Sequence, residues 1–129
     1  MKDVERKLSL GGAGELIAAN YLLSKGWKIL EKNWFNPKGY RMGELDLIAE
    51  TLTGKIVFLE IKTRKGSLGK VNPGENLTPT KFKKLLKIAQ NYLNQKKWQG
   101  RDWRIDLVTI TLDFQRRKFS LQHTKAIHF

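Results

Sequence analysis

The sequence predicts an α/β layered fold, and three observations carry that reading. Two segments with apolar residues at helical spacing bracket a pair of strand-like runs, two further strand-like runs follow, and no repeat, low-complexity tract or long linker intervenes. A chain of 129 residues supports one hydrophobic core, so a single domain over residues 1–129 with a single site is expected.

The elements follow in order. From Leu8 to Ser24, Leu, Ile, Ala and Tyr recur at helical spacing and stop at Lys25-Gly26, where glycine suits a helix end. Trp27-Lys28-Ile29-Leu30 is short and half apolar and reads as a strand, with a turn signal at Asn36-Pro37-Lys38-Gly39. Gly43 to Glu50 and Lys55 to Thr63 are strand-like, and Leu52-Thr53-Gly54 joins them as a hairpin. The connection from Arg64 to Leu77 bears Gly and Lys and is longer than most, which marks it as functional or mobile. Thr78 offers an N-cap with Pro79 at the first helical position, and Phe82, Leu85, Leu86, Ala89 and Leu93 form the apolar stripe of a second helix. Arg104 to Leu112 and Arg117 to His123 read as two more strands about Asp113-Phe114-Gln115.

Lys and Arg number 25 against 12 Asp and Glu, a net charge of +13 with a pI near 10.1. Such a field gathers polyanions, so nucleic acid is the expected partner and an anionic membrane surface its competitor. No apolar run is long enough to span a bilayer and the N-terminus has no signal-peptide pattern, so no membrane is expected and a cytoplasmic location is. With no cysteine, thiol chemistry and thiolate metal sites are excluded. No P-loop or Rossmann glycine motif is present, so no small-molecule cofactor is expected. The four tryptophans read mostly as packing anchors, Asp106 as an ion-pair partner of Arg104, and His123 and His128 as without special role.

The hairpin carries the chemistry. Alternation places Glu44, Asp46 and Ile48 on one face of its first strand, with Leu45, Leu47 and Ala49 on the other. In the second strand Ile56, Phe58, Glu60 and Lys62 share a face. A turn near Thr53 sets Asp46 opposite Glu60, and like charges so placed raise one another's pKa unless a cation lies between them. An oxygen-only donor set favours Mg²⁺ or Mn²⁺, and Lys62 adds a cation for negative charge or for orienting water. Glu15 is centred on a small-residue helix face of Gly11, Gly12, Ala18 and Ala19, which suits either support of that site or a buried ion pair with Lys62 or an Arg. Arg64, Lys65 and Lys70 in the loop and Lys81, Lys83, Lys84 and Lys87 on the second helix are the expected phosphate contacts.

Asp46 followed by Glu60-Ile61-Lys62 resembles the PD-(D/E)xK nuclease superfamily. The closer likeness is to the YraN-type family of small bacterial proteins. It rests on Gly14-Glu15, the Asn33-Trp34 region, Gly43 to Ile48 (GELDLI), Phe58 to Arg64 (FLEIKTR), Thr78-Pro79-Thr80-Lys81 and Tyr92-Leu93. It spans nearly the whole chain and departs at Leu45, where the superfamily's name has proline. The resemblance implies a restriction-endonuclease-like core, a central mixed β-sheet flanked by α-helices, similar to archaeal Holliday-junction resolvases. It further implies Asp46, Glu60, Lys62 and Glu15 as catalytic residues, Mg²⁺ (or Mn²⁺) held at Asp46, Glu60 and Ile61, and hydrolysis of DNA, with a homodimer favoured by resolvase-like action. The alternative is a nucleic-acid-binding protein that keeps this fold without turnover.

Overall fold

A computed structural model describes residues 9–36, 43–68 and 77–128; Lys70 and most of the turn expected after Asn36 lie outside them. The chain runs α1 (Leu10–Ser24), β1 (Lys28–Trp34), β2 (Leu45–Glu50), β3 (Ile56–Lys65), α2 (Pro79–Lys96), β4 (Trp103–Asp113) and β5 (Lys118–Thr124). The strands make one sheet in the order β1-β2-β3-β4-β5, antiparallel except for the parallel β3–β4 pair. Parallel neighbours need a crossover, and α2 supplies it. This is the α/β architecture expected, a mixed sheet flanked by helices.

The two helices cover opposite faces. Ala18, Ala19 and Leu22 of α1 pack on Leu47, Ala49, Val57, Leu59, Ile61, Val108 and Ile110. On the other face Phe82, Leu85, Ile88, Ala89, Tyr92 and Leu93 of α2 meet Ile48, Ile56, Phe58 and Ile105. Leu45, expected beside Leu47 and Ala49, joins this second cluster instead, at the end of β2 that leaves β3. Tyr92 is the hub: its ring sits edge-on to Trp34 at 5.0 Å, Phe58 at 5.9 Å and Trp98 at 6.1 Å, and its hydroxyl donates to Glu31 Oε2.

Local signals set the helix ends. Ser9 Oγ accepts from Gly12 N at 2.9 Å, and Gly26 takes φ of +82° as the chain leaves α1. Thr78 Oγ1 accepts from Lys81 N at 3.2 Å, with Pro79 opening α2. Strand β1 runs to Trp34, beyond the expected Leu30. Between Ile29 and Glu31 its pairing with β2 slips by one residue, a β-bulge that breaks the polar/apolar alternation by which a strand is recognised. At Gly14, helix α1 comes so near β3 that a Cβ there would lie 2.8 Å from Thr63 Cβ and closer still to its hydroxyl. Only glycine permits that approach.

Candidate functional site

The site opens where β2 and β3 part. Their antiparallel ladder runs from Glu50↔Ile56 to Leu47↔Leu59 and ends there, although β2 begins at Leu45 and β3 continues to Lys65. Extending that register puts Asp46 and Glu60 next in line, as the turn geometry implied. The Ile61 N–H, which a continued ladder would give to β2 backbone, is taken instead by Asp46 Oδ2 at 2.8 Å. A strand residue directs its N–H and C=O to the same neighbour, so the Ile61 carbonyl faces the same gap.

Glu60 is 7% exposed and Asp46 is half-buried, so neither charge is well hydrated. Burial, then the charge of Glu60, push the Asp46 carboxyl up to about 7; the Ile61 N–H opposes this, and Glu15 and Glu44 add to it. Glu15 is half-exposed among the buried Gly12, Gly14, Ala18 and Ala19 of α1, within electrostatic reach of Asp46.

Two lysines face the carboxylates. Lys62 Nζ lies 3.8 Å from Glu60 Oε1, while Lys81 Nζ reaches across from α2 to the same oxygen at 2.8 Å. Lys81, half-exposed at the start of α2 rather than fully exposed like Lys83, Lys84 and Lys87, is thus the nearer cation to Glu60. The reason lies at the helix start, where Thr-Pro-Thr-Lys puts a lysine at the position a capping box gives to glutamate. A cation there opposes the helix dipole unless an anion meets it, and Glu60 does. The two amines divide in character. Lys62 is held below its usual range, first by the hydrogen bond it shares with Lys81, then by burial and the charge of Lys81. Burial alone would lower Lys81 too, but hydrogen bonds to Glu60 and Lys62 and both carboxylates hold it above its usual range.

Of the remaining candidate contacts, Arg64 is half-buried, Lys65 ends β3 exposed, and Lys84 is exposed on α2. Among the described residues no group of three or more His, Cys, Asp or Glu side chains could hold a metal ion. The donor chemistry at the gap, two carboxylates and a backbone carbonyl, still fits a hard divalent cation that keeps most of its waters.

A second buried polar cluster escaped sequence reading. Asp106, with no exposed surface, binds Arg104 Nε at 2.9 Å as expected, but also His123 Nε2 at 2.7 Å and Ala126 N at 2.9 Å. The Nδ1 of His123 contacts the Tyr21 hydroxyl at 2.8 Å. His123 is thus no bystander: it ties β5 to α1 and β4. Only its alternation onto the inner face of β5, opposite Val108, hinted at this.

The Uncharacterised protein family UPF0102 matches residues 14–110, three quarters of the chain, including every element of the site. This chain belongs to that family. UPF0102 is the YraN-type, PD-(D/E)xK nuclease-like family whose motifs the sequence resembles. A UPF0102 protein of Chlorobium limicola is 39% identical over 120 residues, covering 89% of this chain and 88% of its own. The UPF0102 protein TTE1452 of Caldanaerobacter subterraneus subsp. tengcongensis is 41% identical over 113 residues, covering 88% and 87%. Among solved structures, Pyrococcus furiosus SfsA in complex with Ca²⁺ matches at 12% identity with a TM-score of 0.39. It covers 92% of this chain, which spans 63% of SfsA, a likeness too loose to carry a functional inference. No helix of the described residues is long and apolar enough to cross a membrane.

Proposed function

We propose that this protein is a metal-dependent endonuclease that hydrolyses phosphodiester bonds in DNA, with branched or structured DNA as its preferred form. One observation carries the reading: β2 and β3 part at the point where Asp46, Glu60 and the Ile61 backbone converge with two unlike lysine amines. A structural salt-bridge ladder needs no such opening, and it has no use for a carboxyl whose pKa is raised rather than lowered.

Asp46, Glu60 and the Ile61 carbonyl would hold Mg²⁺ or Mn²⁺, which when bound supplies Lewis-acid charge to the phosphate and to water. The chain's own groups do the rest. Lys62, whose amine gives up its proton more readily than an ordinary lysine, accepts the proton of the attacking water. Lys81 keeps its proton and meets the negative charge that grows on the phosphate. Glu15 adds negative charge beside Asp46 and so strengthens the site's demand for a cation. Exposed Lys65 and Lys84, with Arg64 and Lys70, hold the DNA backbone, and a symmetric pair of chains would suit cleavage of a symmetric junction.

The Glu60–Lys81 ion pair gives the alternative its one supporting observation, because the lysine takes a carboxylate oxygen that a cation would use. A protein locked in that state binds nucleic acid without turnover. Labelled linear, flapped and four-way DNA incubated with Mg²⁺, Mn²⁺ or chelator decides between them. Cutting should require the cation and vanish in Glu60→Gln. If wild type binds all three DNAs, cuts none, and shows no thermal response to Mn²⁺, the non-catalytic reading replaces this one.

A further inference from the structure

The tip of the β4–β5 hairpin carries a feature that the site does not use. Phe114, in the turn, and Phe119, near the start of β5, are 63% and 53% exposed, and Arg116, Arg117 and Lys118 between them are exposed too. The turn is well ordered by its own bonds: Asp113 Oδ1 accepts from Arg116 N at 3.1 Å, and Arg117 takes φ of +52°. Lys65, at the end of β3, lies 5.4 Å from the centre of the Phe114 ring. Gly66 N bonds Leu112 O at 3.1 Å, so the hairpin and the strand that leaves the site end together.

We infer that this tip is a stacking platform for unpaired bases, so that the protein selects DNA with a single-stranded segment beside the bond to be cut. The inference rests on the reading of nucleic acid as the partner. Two flat apolar rings among four cations suit a ligand that is both polyanionic and aromatic, and an unpaired nucleic-acid strand is that ligand. A base in duplex is already stacked and cannot use them. A second copy of the chain is a poorer occupant, since like-charged tips would repel. From Lys62 to Lys65 the strand advances about 10 Å, a distance that roughly three nucleotides of a strand cover. The rings sit on the α1 side of the sheet and Lys62 on the other, so the bound strand rounds the end of β3 between them.

The test measures affinity by fluorescence anisotropy in chelator, where no cutting occurs, for a plain duplex and for the same duplex with a short unpaired segment containing 2-aminopurine. Wild type should prefer the second by about tenfold or more, with a change in 2-aminopurine emission on binding. Phe114→Ala/Phe119→Ala, both exposed positions whose thermal melt checks folding, should lose the preference and keep duplex affinity. Arg117→Gln/Lys118→Gln should weaken both DNAs alike. A double phenylalanine variant that keeps the preference overturns the inference. So does one that turns a dimer into a monomer in sedimentation with DNA binding unchanged, which makes the patch an interface between copies. Preference without metal-dependent cutting leaves this inference standing and removes the nuclease reading; cutting without preference does the reverse.

Discussion

Replacing Asp46 with asparagine should make the metal-free protein more stable at pH 8. In the unfolded chain this carboxyl titrates at its ordinary 3.8, whereas in the fold burial and Glu60 raise it to about 7. An acid with a raised folded pKa favours folding while it is protonated. That stabilisation is fully present below about pH 4 and is lost as the pH climbs towards 7. A difference of about three pKa units at 1.36 kcal/mol each sets an upper limit of about 4 kcal/mol on the penalty at pH 8. Asparagine removes the charge but keeps an oxygen to accept the Ile61 N–H, so most of the penalty should be recovered. For a domain of this size a gain of about 2–4 kcal/mol raises Tm on the order of 10 °C. Thermal melts of Asp46→Asn and wild type in chelator, at pH 4 and pH 8, measure it. The variant should gain at pH 8 and not at pH 4, and Mn²⁺ should close the gap by stabilising wild type alone. Equal melting temperatures at pH 8, or a difference independent of pH, would refute the reasoning.

Lys62→Ala should leave DNA affinity nearly intact while single-turnover cleavage falls by about 10²–10³-fold, and Lys81→Ala should lower cleavage too while weakening the tie between α2 and Glu60; equal rates for Lys62→Ala and wild type would remove Lys62 from the chemistry. Gly14→Ala should lower stability by about 1–3 kcal/mol in a denaturant titration, through the clash with Thr63, and Thr63→Gly in the same chain should restore much of it. Burial raises the Asp106 carboxyl, but hydrogen bonds from His123, Arg104 and the Ala126 N–H outweigh that and hold it below its usual range. Its stabilisation is therefore present above the ordinary carboxylate range and lost as the pH falls through the folded value. His123→Ala should cost about 1–3 kcal/mol at neutral pH, the range for a buried acceptor that loses a hydrogen-bond partner, and no measurable loss would show that Arg104 and the Ala126 N–H suffice.

Much of this was legible because it is local. The turn signal near Thr53 and the two-residue period of the flanking strands were enough to align Asp46 with Glu60, and the β2–β3 ladder, which ends one pair short at Leu47↔Leu59, has the register that alignment requires. Thr78-Pro79 marked the start of α2 for the same reason: capping is decided within four residues. What stayed hidden depends on neighbours distant in sequence or on a break in the period. The bulge at Leu30 disguised half of β1. Lys81 looked like one more basic residue on a basic helix until the crossover laid its first turn over Glu60. His123 looked idle because Tyr21, which it meets, lies 102 positions away. Phe114 fell in the expected connection between two strands and Phe119 within the second of them, and nothing local distinguished either from core.

The parallel pairing of β3 with β4 bears on the order in which the site assembles. The β2–β3 hairpin closes over a few residues, whereas joining Ile56 to Trp103 closes roughly 45, about 2 kcal/mol more in chain entropy. Asp46 and Glu60 are therefore expected to meet while α2, and with it Lys81, is still undocked. During that interval the nascent hairpin holds two facing carboxylates without their nearer lysine, so mild acid or a divalent cation should speed refolding through the early step. The lysine that later occupies Glu60 would then act as a latecomer that seals a contact already made.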